Sequence, residues 1–165
     1  MEKHMRKHIA IAACSMLVLA SLATPASAAD NDTVNFSGSL SDNCSVVASP
    51  GTLGAAADNL SLSTEESGGS AASLSVTSVG ALPEVDFAAP AYGLTTGSYT
   101  GTPTAAIKYA GTNAASQTSY TSSSSVSQLT GNSASYVING RLSDSGGFLT
   151  GTYTMSVLAT CGYGV

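Results

Sequence analysis

The chain has 165 residues, of which only 9% are charged, and its formal charge is −5. Five basic residues in all cannot form a surface that neutralises a phosphate backbone, which argues against nucleic acid or an anionic membrane as partner. A hydrophobic fraction of 43% also sets it apart from the weakly hydrophobic, highly charged composition of disordered chains.

The first predicted element is a leader. Glu2 to His8 carry Lys3, Arg6 and Lys7, Ile9 to Ala23 are apolar apart from Ser15 and Ser21, and Thr24-Pro25 precede the small triplet Ala26-Ser27-Ala28. A basic start, an apolar run and an A-x-A-like site read as a secretory signal peptide over residues 1–28, cleaved between Ala28 and Ala29. The apolar run is shorter than the about 20 residues a membrane span needs, and no later segment comes close, so no span is expected in the mature chain. The protein is expected to be exported to the periplasm, the cell surface or the medium. Cys14, preceded by Ile11-Ala12-Ala13, raises the alternative of a lipoprotein processing site. The apolar run continues to Ala23 beyond it, so Cys14 reads as an interior leader residue.

Cleavage would remove Lys3, Arg6 and Lys7, both histidines (His4 and His8) and Cys14. Residues 29–165 then form one secreted domain of ordinary size. It keeps Lys108 and Arg141 as its bases against nine acids, a formal charge of −7. Cys44 and Cys161 remain. In an oxidising compartment one intramolecular pairing is available to them, with free thiols or an intermolecular bond as the alternatives.

The mature chain alternates with period two, the mark of half-buried strands. Thr33 to Leu40 sets Val34, Phe36, Gly38 and Leu40 against Thr33, Asn35, Ser37 and Ser39. Short strands are predicted at Leu60–Leu62 and at Val85–Phe87, the latter stopped by Pro90, and longer ones at Ser73–Val79, Thr104–Tyr109, Tyr136–Leu142 and Thr150–Thr160. Turn clusters separate them, among them Ser49-Pro50-Gly51, Ser67-Gly68-Gly69, Gly131-Asn132 and Ser145-Gly146-Gly147. Ser119 to Ser127 reads as an exposed loop or a frayed edge strand. Short strands at this spacing, with no convincing helical period, predict an all-β sandwich of about seven or more short strands.

The catalytic vocabulary is thin. Without a mature histidine, Ser-His and Cys-His nucleophile pairs and His/Cys zinc sites are excluded. Glu65 with Glu66, and Glu84 with Asp86, could do glycosidase-like acid–base work, but they read as a solvated turn and the outer side of an edge strand. No catalytic residue, metal or cofactor is expected. The seven mature tyrosines (Tyr92, Tyr99, Tyr109, Tyr120, Tyr136, Tyr153 and Tyr163) could line a glycan-binding face, against the plainer reading of sheet packing.

Thr33-Val34-Asn35-Phe36-Ser37-Gly38-Ser39-Leu40, followed by Cys44-Ser45-Val46, resembles the first strand of bacterial chaperone–usher pilins and the related spore-coat-protein-U-like secreted domains. Gly151-Thr152-Tyr153-Thr154-Met155-Ser156-Val157 is similar to their closing strand, and Leu60-Ser61-Leu62 with Gly68-Gly69 to the middle of such domains. The resemblance covers both ends of the mature chain and hardly touches Tyr92 to Ser135. It implies an immunoglobulin-like antiparallel sandwich with a structural or adhesive, pilus- or coat-like role, and self-association or contact with other surface proteins. Two features depart from it. Pilins pair their first cysteine with one at the end of the second main strand, where this chain has Ser78. Only Ala29 to Asp32 precede the first predicted strand, at most about 14 Å of chain, too little for the N-terminal extension with which pilins complete a neighbour's sheet. A self-complete domain closed by Cys44 and Cys161 is therefore expected.

Overall fold

The computed structural model describes residues 37–38 and 43–163. The predicted leader, its cleavage site at Ala28 and Ala29, and nearly all of the predicted first strand Thr33–Leu40 lie outside the described residues. Within them the chain is all-β and without helix, its antiparallel sheets layered as a sandwich, as expected.

Twelve strands follow one another: β1 (Asn43–Ser49), β2 (Gly54–Ala55), β3 (Ser61–Ser63), β4 (Ala72–Val79), β5 (Glu84–Phe87), β6 (Ala91–Gly97), β7 (Thr104–Thr112), β8 (Gln117–Thr121), β9 (Ser125–Gln128), β10 (Ser133–Ser143), β11 (Gly151–Ser156) and β12 (Ala159–Gly162). The main sheet is built on β10. One edge of β10 pairs with β7, which in turn carries β8. Its other edge pairs first with β4 and then, beyond Ile138, with β3. β1 closes the sheet against β4, and β2 against β3. The second layer consists of β9-β5-β12 and β6-β11.

Alternation explains how the layers meet. Along β10, Ala134, Tyr136, Ile138 and Leu142 are buried while Ser135, Val137 and Arg141 are exposed. Along β4, Leu74 and Val76 are buried between exposed Ser73, Ser75 and Thr77. Ile107 and Tyr109 of β7 join them, and Val85 and Phe87 of β5 close the core from the second layer. The ring of Phe87 lies 4.4 Å from that of Tyr109 and 5.4 Å, edge-on, from that of Tyr136. The buried Tyr136 hydroxyl bonds Ser127 Oγ at 2.9 Å, and Ser127 donates to the Ala115 carbonyl at 2.7 Å, so no buried polar group on this path lacks a partner. A smaller cluster holds Ala105, Leu142 and Phe148, capped by Tyr99 and Tyr153.

The structure corrects one expectation, decides between the alternatives of another and adds three strands. The closing strand expected over Thr150–Thr160 is two strands, because the chain changes partner: β11 pairs with β6 and β12 with β5, with Val157 and Leu158 between them. Of the two readings of Ser119–Ser127, the structure selects the edge strand: the stretch is the end of β8 and most of β9, each paired along one side only, with Tyr120 and the buried Ser127 as anchors. The added strands are β1, β2 and β6. β1 and β6 are exposed edges whose weak alternation carries little period-two signal, and β2, two residues long, carries none.

Candidate functional site

Cys44 of β1 and Cys161 of β12 form a disulfide with a Cα–Cα distance of 6.0 Å across 117 residues of sequence. The geometry selects the intramolecular pairing from the alternatives left open by the sequence. A structural disulfide of this kind belongs to an oxidising compartment.

The bridge ties together two strand edges that belong to different layers. β1 pairs only with β4, β12 only with β5 and β11 only with β6, so each keeps one edge unpaired among the described strands. Beyond the bridge the two edges separate and leave a cleft. Its near part, about 510 Å³, is lined by Val46, Ala48, Leu74, Met155, Val157 and Ala159. It shares Gly51, Ala72, Ile138, Met155 and Val157 with a second part of about 380 Å³ that reaches Leu53, Ile107 and Tyr153. Val46 stands opposite Val76 in the register, so it is on the core-facing side of its strand. Val76 is fully buried there, yet Val46 remains 37% exposed. The cleft is therefore an uncovered stretch of sandwich interior. Gly140 shapes its floor: a Cβ there would lie 2.5 Å from Met155 Cε.

A second grouping lies on the outer face of the main sheet. Lys108 and Arg141, the only bases among the described residues, both stand over the ring of Tyr120, with Lys108 Nζ 4.9 Å and Arg141 Cζ 4.3 Å from its centroid. Lys108 pairs with Glu65 at 2.9 Å, and the Tyr120 hydroxyl donates to the other Glu65 oxygen at 2.9 Å. These two bonds, from Lys108 first and Tyr120 second, hold the Glu65 carboxyl below its ordinary range. Burial of Tyr120 pushes its hydroxyl up. The cluster pins β8 to the β3–β10–β7 face. A carboxylate with a depressed folded pKa contributes stability above its unfolded pKa and loses it as pH falls through the folded value. Acidification below about pH 4, the ordinary range of a glutamate, should therefore loosen β8 first. In hydrogen exchange at falling pH, protection of the Gln117–Thr121 amides should drop before that of β10, and Glu65→Gln should abolish the difference.

The remaining predicted candidates do not converge. Glu65 is in the cation cluster, whereas Glu84 accepts a hydrogen bond from Gln128 on the far layer, beside Asp86. Of the tyrosines, Tyr109 and Tyr136 are core residues, Tyr99 and Tyr153 cap the smaller cluster, Tyr92 bonds the Gly101 carbonyl, Tyr120 belongs to the outer face and Tyr163 bonds the backbone of Asn43 and Val79. They make no common face. Among the described residues, no group of three His, Cys, Asp or Glu side chains could hold a metal, and no helix is long and apolar enough to cross a membrane. The cleft and the gathering of both bases escaped sequence reasoning. Only the scarcity of bases hinted at the second; nothing local announces a register between distant strands.

Compared with known proteins, the chain matches no family model, no curated protein and no solved structure.

Proposed function

We propose that the protein is an exported, non-enzymatic structural subunit with a pilus- or coat-like role at the bacterial surface, and that it joins its neighbours by accepting a strand in the cleft between β1 and β11–β12. The observation that carries this reading is the cleft itself: an apolar trough flanked by two strand edges that no other described strand pairs. Such an edge takes up an extended segment through main-chain hydrogen bonds, while pockets select alternate side chains.

The occupant is the alternating segment Thr33–Leu40 of a second copy. Its Val34, Phe36, Gly38 and Leu40 recur every second residue, as a trough with one apolar floor requires. Its eight residues match the reach of the cleft wall from Tyr153 to Ala159, about 20 Å of strand. A strand set between β1 and β12 needs those strands about 9.5 Å apart, whereas the Cys44–Cys161 bridge holds their Cα atoms at 6.0 Å. An inserted strand therefore seats beyond the bridge, along Val46–Ala48 and Met155–Val157. A second copy's segment reaches that stretch without the tether of four residues that joins Leu40 to the bridge in its own chain. On this reading the predicted first strand, rather than the four residues ahead of it, is the donor.

A fluorescent peptide spanning residues 30–42 tests the reading. It should bind the mature protein saturably, and Val46→Asp and Val157→Asp should each weaken it about tenfold, the equivalent of roughly 1.4 kcal/mol, with circular dichroism unchanged. A peptide with Val34 and Phe36 replaced by serine should not bind. Failure of the native peptide to bind, or equal binding by the serine version, would overturn the strand-accepting role.

A further inference from the structure

We infer that copies of this domain also stack face to back, the Arg141 face of one copy against the Asp86 face of the next. The inference rests on the structural-subunit reading but uses surfaces other than the cleft. Arg141 lies between Gly140 and Leu142, both buried, and Lys108 lies between Ile107 and Tyr109, both buried; the two bases therefore project from the outer face of the main sheet. Asp86 lies between Val85 and Phe87, each 0% exposed, so it projects from the outer face of the second layer. The inner sides of these strands meet at the 4.4 Å contact of Phe87 with Tyr109. Arg141 and Asp86 thus point away from the core in opposite directions.

The charges left over on the two faces are complementary. On the first, Glu65 forms its ion pair with Lys108, while Arg141 stacks on Tyr120 and feels the Glu65 carboxylate only at longer range, with no carboxylate among the described residues at ion-pair distance. A guanidinium oriented this way keeps its fork of N–H donors for a carboxylate. On the second, Glu84 is engaged by Gln128, while Asp86 makes no side-chain hydrogen bond or ion pair among the described residues, and no base stands near it in β5, β9 or β12. The main-sheet face beside Arg141 is uncharged, with Ser73, Ser75, Thr77, Ser133 and Ser135 set around the exposed Val137 and Val47, so a neighbour can approach it and cover apolar surface.

A contact between two different faces of identical copies is heterologous, and it repeats without closing unless the rotation between copies happens to close a ring. Exposed ion pairs are individually weak and salt-sensitive, so each contact is weak and the length of the array depends on protein concentration and ionic strength.

Charge reversal supplies the test. In sedimentation velocity at about 10 mM ionic strength, where the Debye length is about 30 Å, the mature protein should form concentration-dependent species larger than a monomer, and about 1 M salt should disperse them. Arg141→Glu and Asp86→Arg should each weaken association about tenfold. Mixing the two variants should restore it. In an alternating array the new glutamate of one variant faces the new arginine of the other, and the next contact pairs the unaltered Arg141 with the unaltered Asp86. The neutral variants Arg141→Gln and Asp86→Asn should each weaken association alone, and their mixture should regain only pairs, through the unaltered Arg141 of one and the unaltered Asp86 of the other, without the longer species that the charge-reversed mixture forms. A monomer under all low-salt conditions, single variants that associate like the parent, or failure of the mixture would overturn the inference. Peptide binding in the cleft, measured on the same variants, should be unchanged, so loss of the one interaction is distinguishable from loss of the other.

Discussion

Replacing both Cys44 and Cys161 by serine should destabilise the domain by about 4–5 kcal/mol, the chain-entropy value for releasing a closed loop of roughly 100 residues. The bridge spans 117 residues of sequence and joins an edge strand of one layer to an edge strand of the other. It therefore restrains nearly the whole described chain. Against the roughly 5–15 kcal/mol that holds a typical domain folded, such a loss removes about a quarter of the total or more. In urea unfolding the double-serine variant should show a lower midpoint and a steeper slope than the parent, because its unbridged denatured chain is more expanded. Non-reducing mass spectrometry of the parent should find the two thiols oxidised. The effect should also reach the cleft. Without the bridge, the β1 and β12 edges are no longer fixed to each other at that end, so peptide binding should weaken even where the variant remains folded. A variant that kept the parental midpoint would show that the bridge contributes no net stability.

Phe87→Ala should cost about 3–5 kcal/mol, the range for removing a large aromatic side chain from a packed core. Phe87 is 0% exposed and is the second layer's principal aromatic contribution, stacked obliquely on Tyr109 and edge-on to Tyr136. Truncation leaves a cavity between the layers and removes two ring contacts, each worth about 0.5–1.5 kcal/mol beyond area. The neighbouring Tyr136→Phe should cost only about 1 kcal/mol, because Ser127 Oγ keeps its bond to the Ala115 carbonyl when the tyrosine hydroxyl is lost. Thermal unfolding of the three proteins should rank parent, Tyr136→Phe and Phe87→Ala in falling order. The two variants melting together would mean that the sheets repack around the missing ring.

Strands with one clean apolar side were legible in the sequence. Ser73–Val79 and Tyr136–Leu142 recur within β4 and β10, because a strand buried on one face must alternate. Edge strands were not. β1 and β6 expose most of both faces, so no burial pattern marks them. The serine run over β8 and β9 is polar for a similar reason: its strands are stabilised by pairing and by single anchors such as Tyr120 and the buried Ser127. The break at Val157–Leu158 was hidden because an unbroken run of strand-forming residues says nothing about a change of partner.

The sequence by itself determined the class of this protein. Its alternation sets an all-β sandwich, Cys44 and Cys161, the two cysteines outside the predicted leader, leave one intramolecular pairing, and its scarcity of bases and the absence of histidine after His8 narrow the available chemistry. All of these are local or compositional properties, carried by each residue without reference to a partner. Only the tertiary structure decided that the edges bridged at Cys44–Cys161 part into an apolar cleft, that both bases meet over Tyr120, and that Arg141 and Asp86 face opposite ways. Those relations arise from the register and pairing of strands far apart in the chain, and pairing depends on which distant edges meet rather than on the composition of either one.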